Sequence, residues 1–175
     1  LEICRPHLKD LILFALHTGM RKGEILSLRW SAVDLPAGVI TVGGGKTGRL
    51  RSIPLNAVSR AVLERRKSAG GEFVFEWQGK RFERFDKTWR LYVRLSGIPP
   101  IRFHDLRHTF ATRLVLAGED LVTVGELLGH RSIQMTLRYS HPGPEHRRAA
   151  VEKLEGNDTR TKPARRPKAR GLRIR

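Results

Sequence analysis

The chain has 175 residues, 39% of them hydrophobic, which is enough for one domain with a single buried core and no need of disulfides or structural metal. Its lone cysteine, Cys4, cannot form an internal bridge. The longest apolar stretch, Leu11 to Leu16, falls far short of a membrane span, and no charged-then-apolar leader opens the chain, so a cytosolic setting without membrane insertion is expected. With 34 Lys and Arg against 17 Asp and Glu the formal charge is +17, more than solubility asks of a small domain, and it implies a polyanionic partner; charge alone does not choose among nucleic acid, anionic lipid and an acidic protein.

In chain order, Leu8, Leu11, Ile12, Ala15 and Leu16 follow the i, i+3, i+4 spacing of an amphipathic helix that Pro6 opens and Gly19 closes. A second short helix, about Arg21 to Leu28, buries Ile25 and Leu28 and leaves Arg21 at its positive end, an unfavourable place for a cation. Val39–Val42 and Leu50–Ile53 are β-prone runs that flank a glycine-rich loop with Lys46 at its tip, the pattern of a hairpin. Asn56 can cap a helix running to about Lys67, Phe73–Phe75 reads as an edge strand, and Phe85, Trp89, Tyr92 and Val93 form a helical stripe that Gly97 ends. Further helices are predicted at Asp105 to about Leu116, Leu121 to Leu128, Ser132 to Tyr139 and Glu145 to Leu154. The last of these can dock on its own domain or on a neighbour. The fold class expected is mainly α with a small antiparallel β-sheet (α+β), in one domain over residues 1–155. Residues 156–175 hold eight basic side chains and one acidic one among almost nothing apolar, the composition of a disordered tail; its +7 leaves +10 on the body.

His104 and Arg107, three apart on a predicted helix, project from nearly one face and can converge on one anion, although such a pair alone is common on surfaces. Five segments read in order carry a more specific signal: His17-Thr-Gly-Met-Arg-Lys-Gly-Glu-Ile-Leu-Ser-Leu28, Gly45-Lys-Thr-Gly48, His104-Asp-Leu-Arg-His-Thr-Phe-Ala-Thr112, Leu127-Leu-Gly-His130 and Thr136-Leu-Arg-Tyr139. Together, from about residue 8 to 142, they resemble the tyrosine recombinase, or phage integrase, family in its catalytic domain.

The resemblance implies a site-specific recombinase that breaks and rejoins double-stranded DNA through a 3′-phosphotyrosine intermediate. It implies Arg21, Lys46, His104, Arg107, His130 and Tyr139 as catalytic residues, with Tyr139 the nucleophile and Glu24 at a supporting acidic position. The chemistry suits these residue types. Guanidinium groups offer bidentate donors to the nonbridging oxygens of a phosphate, which assigns Arg21 and Arg107 to the clamp. A phenol of pKa near 10 must give up its proton as it attacks, and His104 is expected as acceptor or orienter. Lys46 can protonate the departing 5′ oxygen, and His130 can donate to the phosphate. The phosphotyrosine ester conserves the energy of the broken bond, so no cofactor is expected. No Asp, Glu, His and Cys cluster has the spacing of a metal site, and Gly43-Gly-Gly-Lys-Thr-Gly48 lacks the spacing of a nucleotide-binding loop.

His7, His17, His141 and His146 read as helix-end or surface residues, His108 as structural or supporting, and Trp30, Trp77 and Trp89 as core or edge residues. Family members resemble a clamp with a separate N-terminal domain, which is expected to be absent from these 175 residues, an excised catalytic domain or the tail end of a longer product, and self-association on DNA, as a synaptic tetramer in the full-length protein, is expected. The competing readings are a type IB topoisomerase, against which Leu127-Leu-Gly-His130 argues, and a DNA-binding domain without catalysis.

Overall fold

The computed structural model describes residues 4–43, 50–68, 70–77, 80–81, 85–140, 148 and 151–152. Helix α1 (Pro6–Thr18) starts with proline inside its first turn. It ends at Gly19, whose φ of 61° is the left-handed conformation that lets its N–H close on the Ala15 carbonyl. Leu8, Leu11 and Phe14 on α1 are fully buried, and the helix packs against α3 (Ala57–Lys67) and α5 (Asp105–Leu116). Burial of each such side chain contributes about 1.5–3 kcal/mol, so the α1 stripe is a main source of cohesion.

The short α2 (Lys22–Leu26) leads through a 3₁₀ turn at Trp30–Ala32 to an antiparallel sheet of β1 (Val33–Asp34), β2 (Val39–Val42) and β3 (Arg51–Pro54), in the order β1-β2-β3. Ile40 lies opposite Ile53, and both are buried beneath the helices. Asn56 caps α3 by accepting a hydrogen bond from the Ser59 N–H at 3.0 Å. A two-stranded ribbon, β4 (Glu76–Trp77) with β5 (Lys80–Arg81), precedes α4 (Asp86–Leu95), whose Trp89 is buried and donates its indole N–H to the Ile101 carbonyl. Asp120 caps α6 (Leu121–Leu128), and α7 (Gln134–Leu137) follows.

The domain is therefore mainly helical with a small antiparallel sheet. Two elements differ from the sequence expectation. Phe73–Phe75 is not a strand: Phe73 makes an isolated bridge to Arg29, and Val74 and Phe75 are both buried, which breaks the alternation a strand requires. The helix expected to run through Tyr139 ends at Leu137, and Tyr139 sits in the turn that follows, its N–H bonded to the Thr136 carbonyl.

The main core gathers α1 to α4, the sheet and the start of α5. A separate cluster, Ala111, Val124, Leu128 and Tyr139 with Phe110, Leu114 and Val115 against it, joins α5, α6 and the turn after α7. The chain divides into two units, Leu1–Ser140 and His141–Arg175. In the second, Arg148, Val151 and Glu152 are helical; the remainder of the expected Glu145–Leu154 helix, His141, His146 and the tail lie outside the described residues, as does Lys46 in the hairpin loop.

Candidate active site

Arg21 is the residue that precedes α2, and the electrostatic penalty of a cation there is answered by Glu24. The Glu24 carboxylate accepts the Arg21 backbone N–H at 2.8 Å and its Nη1 at 2.9 Å. Arg21 Nη2 extends to the Gly129 carbonyl at 3.3 Å, which ties the start of α2 to the end of α6.

Arg107 approaches the same place from α5. Its side chain is almost completely enclosed, with Nη1 donating to the Gly19 carbonyl at 2.7 Å and Nη2 to the Leu128 carbonyl at 2.5 Å. Carbonyls 127–129 are the last of α6, where the helix leaves acceptors without intrahelical partners, and that is why cations collect there. Burial, then the charges of Arg21 and Arg51, bring the Arg107 guanidinium down to about 10, with Glu24 and Tyr139 pulling the other way.

Arg51 was not among the residues expected from the sequence. From β3 its Nη1 and Nη2 donate to the two oxygens of Glu24 at 3.1 and 2.7 Å, and its Nε donates to the Leu127 carbonyl at 3.1 Å. Glu24 thus lies between Arg21 and Arg51, and three guanidiniums against one carboxylate leave a local excess of two positive charges. Burial pushes the Glu24 carboxyl up, but the hydrogen bonds from Arg51 and Arg21 outweigh it and hold the group at about 2. The signal for Arg51 was present in the strand period: it shares a face with buried Ile53, and a charged residue on a core-facing side requires a partner.

Gly129 closes α6 with φ of 64°, and a Cβ there would lie 2.9 Å from Arg51 Nη1, so only glycine lets Arg51 pass. The chain then delivers His130, whose Nδ1 shares a hydrogen bond of 2.8 Å with the hydroxyl of fully buried Thr136, a second residue the sequence did not single out. Burial, then Arg107, Arg21, Arg138 and Arg51, lower the His130 imidazole to about 4, so it is neutral at pH 7.

Tyr139 is 9% exposed and its ring stacks parallel to that of His130, with centroids 6.4 Å apart. Its hydroxyl bonds to a different histidine than expected: the partner is His108, Nδ1 to Oη 2.7 Å. His104 is the exposed residue at the start of α5 and packs edge-on to His108, centroids 5.0 Å apart, while His108 lies one turn further along the same face and closer to Tyr139. Burial raises the Tyr139 phenol, against the pull of Arg138 and Arg107, and burial lowers both His104 and His108. Arg21, Glu24, Arg107, His130 and Tyr139 are thus brought together, His104 stands at the edge beside His108, and His17 lies apart, its Nδ1 2.9 Å from Asn56 Nδ2.

A sequence model of the phage integrase family matches residues 2–146. The chain belongs to the phage integrase family. It is 39% identical over 145 residues to the tyrosine recombinase XerD of Listeria monocytogenes, an alignment covering 74% of this chain and 48% of that protein. The catalytic domain of bacteriophage HP1 integrase superposes with a TM-score of 0.64 at 28% identity, covering 84% of this chain and 82% of that one. The Tn1549 transposon integrase, solved in complex with a circular intermediate DNA, gives 0.76 at 25% identity, covering 83% and 58%. The chain spans about half or less of the length of the curated relatives it matches. Among the described residues no helix is long and apolar enough to cross a membrane.

Proposed function

We propose that the chain is the catalytic part of a site-specific recombinase that cuts and rejoins double-stranded DNA in the cytoplasm through a covalent 3′-phosphotyrosine. The observation that carries this reading is the gathering of Arg21, Arg107 and His130 beside the Tyr139 ring, around the last carbonyls of α6. That arrangement has the charge a phosphodiester needs and a nucleophile next to it. Tyr139 Oη attacks the scissile phosphorus, the bond to the 5′ oxygen breaks, and the phenol proton leaves to an imidazole of α5. Arg21 and Arg107 hold the nonbridging oxygens, His130 donates to one of them, and Lys46 gives the departing 5′ oxygen its proton. Glu24 fixes the direction of Arg21. The ester conserves the energy of the broken bond, and a second strand's 5′ hydroxyl reverses the step, so neither nucleotide nor metal is consumed.

The excess of basic residues, the tail over 156–175 included, serves phosphate contact along the duplex, and the full-length protein assembles as a tetramer on DNA. The test is a nicked suicide duplex, built from the DNA that flanks the encoding locus, in which loss of a short fragment beyond the cut stops religation. Wild-type protein is expected to give a band of reduced mobility on a denaturing gel, and Tyr139→Phe to bind the same DNA without that band. A band that persists in Tyr139→Phe overturns the assignment of the nucleophile.

A further inference from the structure

We propose that Thr136 is a positioning residue for the phosphate donor: its hydroxyl donates to Nδ1 of His130 and so holds that imidazole as the tautomer whose single N–H is at Nε2, the nitrogen left to donate to the phosphate; this deepens the recombinase reading above and rests on it. Thr136 Oγ1 and His130 Nδ1 are 2.8 Å apart, and the threonine is completely buried, so water does not compete for its hydroxyl. Among the described residues that hydroxyl has no other hydrogen-bond partner. Its proton therefore has one acceptor, the lone pair of Nδ1. A ring that carried its own proton on Nδ1 would leave the buried O–H with nothing to donate to, an arrangement that folded proteins avoid.

The tautomer matters because the ring is neutral. An imidazolium would carry a proton on both nitrogens, but burial and the guanidiniums of Arg107, Arg21, Arg138 and Arg51 keep His130 uncharged at pH 7. With one N–H to place, the ability to donate to a phosphate depends on which nitrogen holds it, and that is set by the bond at the other nitrogen. The surroundings are shaped for this bond. The His130 backbone N–H donates to the Gly125 carbonyl at 2.9 Å, and a Cβ on Gly125 would stand 2.9 Å from Thr136 Oγ1, so the glycine inside α6 leaves the hydroxyl its room. The Tyr139 ring lies parallel to the imidazole, with 9° between the planes, and the Tyr139 N–H donates to the Thr136 carbonyl at 2.9 Å. One residue of α7 thus holds the phosphate donor through its side chain and the nucleophile through its backbone.

Long-range nitrogen–proton correlation NMR on protein labelled at the histidine nitrogens, with His130 identified by its loss in His130→Gln, reads the tautomer directly. Wild type at pH 7 is expected to hold the proton on Nε2 alone. Thr136→Val keeps the shape of the side chain and removes the hydroxyl, and its His130 is expected to average between the two tautomers. Single-turnover cleavage of the suicide duplex at saturating protein is expected to slow on the order of 10-fold in that variant, less than the loss of a whole phosphate donor, with DNA affinity unchanged. Thr136→Ser is expected to restore both the tautomer and the rate. A wild-type ring with its proton on Nδ1, a Thr136→Val ring that stays wholly in the Nε2–H form, averaged tautomers with wild-type cleavage, or a Thr136→Ser as slow as Thr136→Val overturns the proposal. A merely structural role would lower stability and leave the tautomer in place. Where Thr136→Val does not fold, the wild-type tautomer and the Thr136→Ser rate still decide. Wild type that forms no adduct on any duplex overturns the recombinase reading, and the tautomer in wild type and Thr136→Val tests the positioning apart from it.

Discussion

Replacing Arg51 by methionine keeps most of its apolar stem and removes the charge that Glu24 depends on. The Glu24 carboxyl is held at about 2 instead of 4.5, and a difference of about 2.5 pH units at about 1.4 kcal/mol each is roughly 3.5 kcal/mol in favour of the charged form. Arg51 is the largest contributor to that lowering. Breaking a buried ion pair by removing one partner costs about 3–5 kcal/mol, and because Glu24 retains Arg21 and is 21% exposed, the expected loss sits below that range, at about 2–3 kcal/mol. For a domain of this size, that is a fall in Tm of roughly 5–10 °C at pH 7.

The sign with pH follows from the direction of the shift. A carboxyl whose folded pKa is depressed contributes stability that is fully present above its unfolded value of 4.5 and is lost as pH falls through about 2. At pH 3 about one pH unit of the contribution remains, roughly 1.4 kcal/mol. The gap between wild type and Arg51→Met is therefore expected to shrink to less than half between pH 7 and pH 3. Thermal unfolding followed by circular dichroism at both pH values, with Glu24→Gln and the double variant completing a cycle, measures it. A gap that stays constant with pH, or single-variant effects that simply add, would refute the coupling.

Gly129→Ala is expected to lose about 1–2 kcal/mol from the left-handed backbone alone, and more where its Cβ displaces Arg51; chemical denaturation measures it, and a neutral result would contradict the packing described. Arg107→Ala leaves the Gly19 and Leu128 carbonyls without their donors and removes a clamp, so it is expected to lower both thermal stability and cleavage, the latter by on the order of 10²–10³-fold, as read by Tm and by adduct yield. The His130 resonance in the free protein is expected to titrate near 4, and because the unfolded ring binds its proton first, stability is expected to fall as pH drops from 6.5 toward that value; an NMR midpoint at or above 6.5 would contradict the assigned environment.

The helices were legible because their apolar stripes, caps and closing glycines act locally: Pro6, Gly19 and Asn56 each do in the structure what their chemistry dictates. The ordered motifs singled out Arg21, Glu24, Arg107, His130 and Tyr139, which the structure brings together. What the sequence could not show was set by distance along the chain. Arg51 meets Glu24 and Leu127 across 27 and 76 residues, and Tyr139 meets His108 across 31, so only the packing of β3, α2 and α6, and of α5 against the turn after α7, decides which groups touch. His104 and His108 share one helix face, and periodicity alone cannot say which of them meets the phenol. Phe73–Phe75 failed as a strand for a related reason, since the demands of the core around Phe14 bury two consecutive side chains there.

The most direct measurement is the identity of the amino acid that carries the DNA. Nuclease digestion of the trapped adduct, followed by trypsin and mass spectrometry, leaves a nucleotide remnant on the peptide that begins after Arg138. The account predicts that remnant on Tyr139. Attachment to any other residue, or a covalent complex formed equally by Tyr139→Phe, would contradict it.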